Sequence, residues 1–159
     1  MNDFISPTSI LFVCLGNICR SPTAQGVMEN IVKNTPGLNH IKIDSAGILN
    51  VHQGELPDLR MRTHAAKRGY YLTHLSRQVR IEDFNDFDLI LGMDDKNISD
   101  LIKLAPTIED EQKIKRMTDY AVETTMDHVP DPYYGGSKGF ELVLDIIEDC
   151  CKGLVNTLY

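Results

Sequence analysis

The residues of this chain best suited to chemistry concentrate in one short run, "VCLGNICRSP" at positions 13–22. Cys14 and Arg20 bracket a loop containing Gly16, with Ser21 and Pro22 just after it. A loop leading from a strand into a helix turns several backbone N–H groups inward. With the positive end of the helix, they form a cradle for an anion. Gly16 lets the backbone turn tightly. The same field favours a thiolate at Cys14, and the thiolate is the nucleophilic form of cysteine. Arg20 supplies what amides lack, a full charge in a planar fork that grips two phosphoryl oxygens at once. Phosphoryl transfer asks a protein mainly for positioning and charge stabilisation. Cradle, guanidinium and thiolate together therefore suit attack on phosphorus. A Walker nucleotide loop is excluded, because it requires GxxxxGK followed by Ser or Thr. The Cys-to-Arg spacing also arises by chance, and a cysteine at a strand end is ordinarily core. The strand before, the glycine within and the Ser-Pro after are what favour the chemical reading.

Those neighbours belong to a regular alternation of elements. "SILFVCLG" (9–16) is a compact apolar run and predicts a buried strand. Ala24, Val27, Met28, Ile31 and Val32 fall on one face of a following helix, with Ser21 expected as its N-cap and Pro22 as its first residue. "IKIDSAG" (41–47) predicts a second strand, and a helix over about 58–68 stops at Gly69. "DLILGMD" (88–94) is a third strand. Ile98, Leu101, Ile102 and Ala105 mark the next helix, and "KIKRM" (113–117) a weak fourth strand. Phe140, Val143, Ile147, Cys150 and Leu154 stripe a last helix. Positions 118–139 are polar and mostly loop, a place where function concentrates. Strands alternating with helices imply an α/β fold: a doubly wound, four-stranded parallel sheet in flavodoxin-like order, with helices on both faces. One domain is expected over 1–159. Ligands of such sheets bind beyond the carboxyl ends of the strands, where the Cys14 loop, Ser45 and Asp94 all fall.

Bulk properties narrow the function further. The 159 residues carry a net charge of −7, which argues against a nucleic-acid binder. No apolar run reaches the roughly 18 residues that span a bilayer, and the N-terminal stretch lacks a basic leader. The four cysteines, Cys14, Cys19, Cys150 and Cys151, form neither a disulfide framework nor a zinc pattern. A reducing cytoplasm with free thiols, and no metal or cofactor, is the expectation.

At this point "VCLGNICRSP" resembles the active-site loop of the low-molecular-weight protein tyrosine phosphatases, and "DPYYGG" (131–136) resembles the late Asp-Pro loop of that family. The likeness extends over the length and element order of the chain. It implies that Cys14 becomes a phosphocysteine, that Arg20 clamps the phosphate, and that Asp131 protonates the leaving oxygen and later activates water. Leu15, Gly16, Asn17, Ile18, Cys19 and Ser21 would complete the phosphate loop. Ser21 would stabilise the thiolate, and Ser45 and His74 would support Asn17. The resemblance also gives Cys19 a reversible disulfide with Cys14. Asp94 matches a family position, and its simplest role is an N-cap. Read without the family, Asp-Pro is a turn and His74 a loop imidazole.

The same resemblance implies a deep pocket for phosphotyrosine-containing proteins, with inorganic phosphate or other oxyanions as further ligands. Tyr133 and Tyr134 would line its entrance. Val51 stands where many relatives carry tryptophan, so that wall is expected to be thinner, with His52 filling part of it. Three rivals remain. An arsenate reductase of the same fold needs further cysteines near positions 80–90, which are absent. A protein-arginine phosphatase would carry threonine in place of Ile18. A phosphate-dependent binding module would be expected to lose Cys14 or Asp131.

Overall fold

The computed structural model describes residues 6–133 and 135–158. Its centre is β1 (Ser9–Cys14), six residues that are all buried. Parallel strands flank it: β2 (Lys42–Gly47) on one side, and β3 (Leu89–Gly92) then β4 (Ile114–Arg116) on the other. The order β2-β1-β3-β4 is the doubly wound arrangement expected from the alternating pattern. Phe12 pairs with Ser45 and Leu91, and Cys14 with Gly47, so the ends of β1 and β2 lie side by side.

Side chains alternate across a strand, and β1 uses that alternation to feed two cores. Ile10, Phe12 and Cys14 join the core beneath α1 (Arg20–Asn34), α2 (Leu59–Ala66) and a C-terminal helix at Ser137–Val155. Leu11 and Val13 join Phe84 of α3 (Asp83–Asp86) and Leu101 of α4 (Asp95–Leu104) on the opposite face. A short α5 (Ile108–Glu111) precedes β4, so the C-terminal helix is α6. All five residues of its predicted stripe are buried, and so is Cys151.

Four details differ from the sequence reading. The strands are shorter, and α6 begins three residues before Phe140, at Ser137. A single 3-10 turn (Met117–Tyr120) opens the long loop. Most consequential, α1 starts at Arg20 with Cys19 as N-cap, so Ser21 is not the cap. The Ser21 hydroxyl is turned instead toward Cys14 and Asn17, and Pro22 becomes the third helical residue, where a missing N–H still costs no intrahelical bond.

Candidate active site

Residues 15–19 carry the chain from the end of β1 into the first turn of α1. Asn17 makes that turn with φ 57°, the only positive φ among the described non-glycine residues. Asparagine tolerates this left-handed region better than most side chains. Its fully buried side chain then organises the loop. Oδ1 accepts from His74 Nε2 at 3.0 Å and from the Arg77 backbone N–H at 3.1 Å. Nδ2 donates to Ser21 Oγ at 2.7 Å and to Ser45 Oγ at 3.0 Å. Two donors on the oxygen fix which way round the amide sits.

Ser21 Oγ lies 3.0 Å from Cys14 Sγ. Its other acceptor, the Ala46 carbonyl, is more distant at 3.4 Å. With Asn17 donating to Oγ, the hydroxyl hydrogen is placed to point at sulfur, where it stabilises negative charge. Among the described residues, no N–H of positions 16–19 has a partner within the protein. The loop therefore keeps its donors for an anion, with the N-terminus of the 15-residue α1 behind it.

The loop also rests on Gly47. A Cβ there would lie 3.0 Å from the Leu15 carbonyl oxygen, the Gly16 carbonyl carbon and the Asn17 nitrogen. A Cβ there would force this loop backbone to give by a few tenths of an ångström, a close approach that the sequence reading missed. The signal was the "SAG" at the strand end, since an isolated glycine in a strand pattern marks close backbone approach.

Arg20 is 2% exposed and held from one side. Nη1 donates to Asp94 Oδ2 at 2.6 Å and to the Val129 carbonyl at 3.0 Å. Val129 is itself tied to β3's end through the Met93 carbonyl. Nε and Nη2 make no hydrogen bond among the described residues, which leaves one edge of the fork for two oxygens. Burial alone would lower the guanidinium pKa. The charge of Cys14, the Asp94 hydrogen bond and Asp131 outweigh it and hold the pKa above its ordinary value. Asp94 caps α4 as expected, through Asn97 N–H at 2.8 Å, and also anchors Arg20. Burial opposes its ionisation, but Arg20 and the Asn97 amide keep its pKa below the usual carboxylate range.

Asp131 enters from the long loop, 3.7 Å from Arg20 Nη2. Its Oδ1 accepts the Tyr133 N–H at 3.1 Å, closing the Asp-Pro turn. Arg60 ties this loop to α2: it donates to the Tyr133 carbonyl at 3.0 Å, stacks over that ring, and pairs with Asp58, the N-cap of α2. Tyr134, also expected in the wall, lies outside the described residues.

Cys14, Leu15, Gly16, Ile18, Cys19, Arg20, Leu49, Val51, His52, Asp131 and Tyr133 line one cavity of about 230 Å³. Part of the lining is aliphatic, with Leu49 unforeseen from sequence and Val51 largely exposed. His52 fills part of it, its ring 6.2 Å from that of Tyr133 and its Nδ1 bonded to Glu55 at 2.6 Å. Cys19 is buried, and burial reinforced by the charges of Asp58, Cys14 and Asp131 pushes its thiol far above the ordinary range. It stays protonated beside the loop. Ser45 and His74 both reach Asn17, so His74 is not a free loop imidazole. Burial lowers its pKa, with Arg77 adding to that effect and Asp44 opposing it.

Known proteins resemble this chain in sequence and fold. The family model described as low molecular weight phosphotyrosine protein phosphatase matches residues 9–159. The low molecular weight phosphotyrosine protein phosphatase of Gallus gallus is 40% identical over 148 residues, covering 92% of this chain and 93% of that protein. The crystal structure of a protein tyrosine phosphatase from Entamoeba histolytica, with Hepes in its active site, superposes with a TM-score of 0.90 at 44% identity. It covers 94% of this chain and 96% of that one. YfkJ of Bacillus subtilis gives a TM-score of 0.86 at 38% identity, over 96% and 95% of the two chains.

Proposed function

Because this chain belongs to the low molecular weight phosphotyrosine protein phosphatase family, we propose that it hydrolyses phosphotyrosine in proteins, and small aryl phosphates, through a phosphocysteine on Cys14. The observation that carries the reading is the convergence of Cys14, Arg20 and Asp131 on one cavity.

The steps follow from the geometry. The free edge of Arg20 and the loop amides hold the phosphoryl oxygens while Cys14 Sγ attacks phosphorus. Asp131 gives its proton to the departing phenolic oxygen, which would otherwise leave as a costly anion. In the second step water attacks phosphorus and its proton passes to Asp131. The P–S electron pair returns to sulfur as thiolate, which receives the Ser21 hydrogen bond.

An aryl ring would be received by the part of this cavity that Tyr133, Leu49 and Val51 line. Ile18 at the cavity lining, where an arginine phosphatase of this fold would carry threonine, supports the tyrosine-type substrate. Cys150 and Cys151 are fully buried in α6, a poor position for an arsenate-reducing thiol cascade. A cytoplasmic location belongs to the same proposal; four unpaired cysteines support it, and no described helix is long and apolar enough to cross a membrane. Inorganic phosphate and related oxyanions would occupy the loop as product or inhibitors.

Steady-state hydrolysis tests the reading. Phosphotyrosine and 4-nitrophenyl phosphate should turn over, phosphoserine and phosphoarginine should be poor substrates, and Cys14→Ser should be inactive. Preference for phosphoarginine, or turnover by Cys14→Ser, would contradict it.

A further inference from the structure

Behind the phosphate loop, on the side away from the cavity, lies a charged cluster that the reaction as described does not use. Arg77 grips two carboxylates. Its Nη1 and Nη2 bond the two oxygens of Asp83 at 2.9 and 3.0 Å, and its Nε and Nη2 bond Asp44 Oδ2 at 3.3 and 3.0 Å. Asp83 is fully buried at the start of α3 and also accepts the Arg80 N–H at 2.8 Å. Asp44 belongs to β2 and stands 3.4 Å from His74 Nδ1. A buried, fork-held ion pair is costly to assemble and is weak grounds for stability by itself. Its value here lies in what the Arg77 backbone touches.

That backbone makes two contacts with the loop's supports. The Arg77 N–H is one of the two donors on Asn17 Oδ1, at 3.1 Å. The Arg77 carbonyl accepts the Gly47 N–H at 2.8 Å, and Val79 N–H returns to the Gly47 carbonyl at 2.8 Å. The segment is thereby stitched to the glycine on which the loop rests. Next to it, Ser76 Oγ donates to the Gly16 carbonyl at 3.1 Å. The segment is neither helix nor extended strand, and besides hydrogen bonds that join Ser76 and Gln78 to residues 48–55 it depends on side-chain ties. The guanidinium, clamped between β2 and α3, holds it.

We propose that Arg77, with Asp83 and Asp44 as its clamps, is a positioning residue for breakdown of the phosphocysteine, acting through Asn17 on Ser21. The proposal rests on the covalent mechanism above. Fixing the Asn17 amide directs Nδ2 to Ser21 and leaves the Ser21 hydrogen for Cys14 sulfur. That hydrogen bond matters most when sulfur is the leaving group: water forms the new P–O bond, the P–S bond breaks, and the electron pair stays on sulfur. A loosened Arg77 should therefore slow the second step more than the first.

The test compares both steps in Arg77→Lys, Asp83→Asn, Ser21→Ala and the Ser21→Ala/Arg77→Lys double variant, by stopped-flow burst kinetics with 4-nitrophenyl phosphate. The ratio of the two rates is independent of how much protein is folded, so a partly unfolded variant still reports. Arg77→Lys and Asp83→Asn should lower the dephosphorylation rate about tenfold, the effect of weakening one hydrogen bond to a charged group. The phosphorylation rate should change far less. The double variant should be no slower in dephosphorylation than Ser21→Ala alone, because neighbours acting through one contact are not additive. A burst whose two steps slow equally, or effects that multiply in the double variant, would overturn the proposal and leave the covalent mechanism standing. Absence of any accumulated phosphoenzyme in the wild type, in Ser21→Ala and in every other variant would overturn the mechanism, and the proposal with it.

Discussion

Asp94 divides its two carboxylate oxygens between two tasks: Oδ1 caps α4 through the Asn97 amide at 2.8 Å, and Oδ2 holds Arg20 Nη1 at 2.6 Å. Asparagine serves as well as aspartate at an N-cap. Asp94→Asn should therefore keep its helix and its unfolding midpoint, while releasing Arg20 from its charged anchor. The expected result is a fall in kcat/KM of about tenfold or more, the cost of one hydrogen bond to a charged group being about 1.5–3 kcal/mol. Unchanged kcat/KM would mean that the Val129 carbonyl alone holds the guanidinium.

Asp131 is asked to protonate the leaving oxygen, so its loss should depend on the leaving group. In Asp131→Ala, hydrolysis of phenyl phosphate should fall on the order of a hundredfold, the scale of general acid catalysis. 4-Nitrophenyl phosphate, whose phenol leaves readily, should be affected less. The same loss for both esters would remove Asp131 from the acid role.

Gly47 meets the loop backbone, which has no flexible end to move aside. Gly47→Ala should cost about 1–3 kcal/mol of stability, the usual scale of overpacking. Because the displaced atoms belong to the cradle, competitive inhibition by inorganic phosphate should weaken in the folded variant too. A variant that is destabilised yet binds phosphate normally would show that the loop does not depend on this contact.

His74 gives the pH dependence a definite sign. Burial holds its pKa below the ordinary 6.5 in the folded state, so the fold favours the neutral ring. Its contribution is fully present above pH 6.5 and is lost as pH falls from there through the depressed folded value. Asp58, Asp88 and Asp94, also depressed, contribute fully above the ordinary 3.8 and lose that contribution only as pH falls below it, outside this window. Urea unfolding of wild type should therefore show stability dropping between pH 7 and 5 by more than in His74→Gln. Parallel profiles would refute the assignment.

Much of this was legible in the sequence, for reasons that differ by residue. β1 was readable because "SILFVC" is buried on both faces, and α6 because its apolar stripe recurs at helical spacing. Cys14 and Arg20 stood out through residue type and loop context, Asp131 only through the resemblance of its Asp-Pro loop to the family's, and the cavity brings all three together. Ser21 was misread as a cap because Ser-Pro signals one locally; tertiary demand from Asn17 and Cys14 overrode that signal. The four-residue α3 and α5 are too short for any period to show. Arg77 and Asp83 were invisible for another reason: an arginine in a loop acquires meaning only when the fold brings Asp44 and Asp83 to it. Leu49 went unnoticed because an aliphatic side chain carries no chemical label, and only the cavity shows where it faces.

The most direct measurement is to stop the reaction with acid during turnover of an aryl phosphate and map the phosphoryl group by mass spectrometry of the digested protein. The account predicts one phosphoryl on the peptide containing Cys14, accumulating in Ser21→Ala and absent in Cys14→Ser. Turnover with no phosphoryl on that peptide in either wild type or Ser21→Ala, or with the label on another residue, would contradict it.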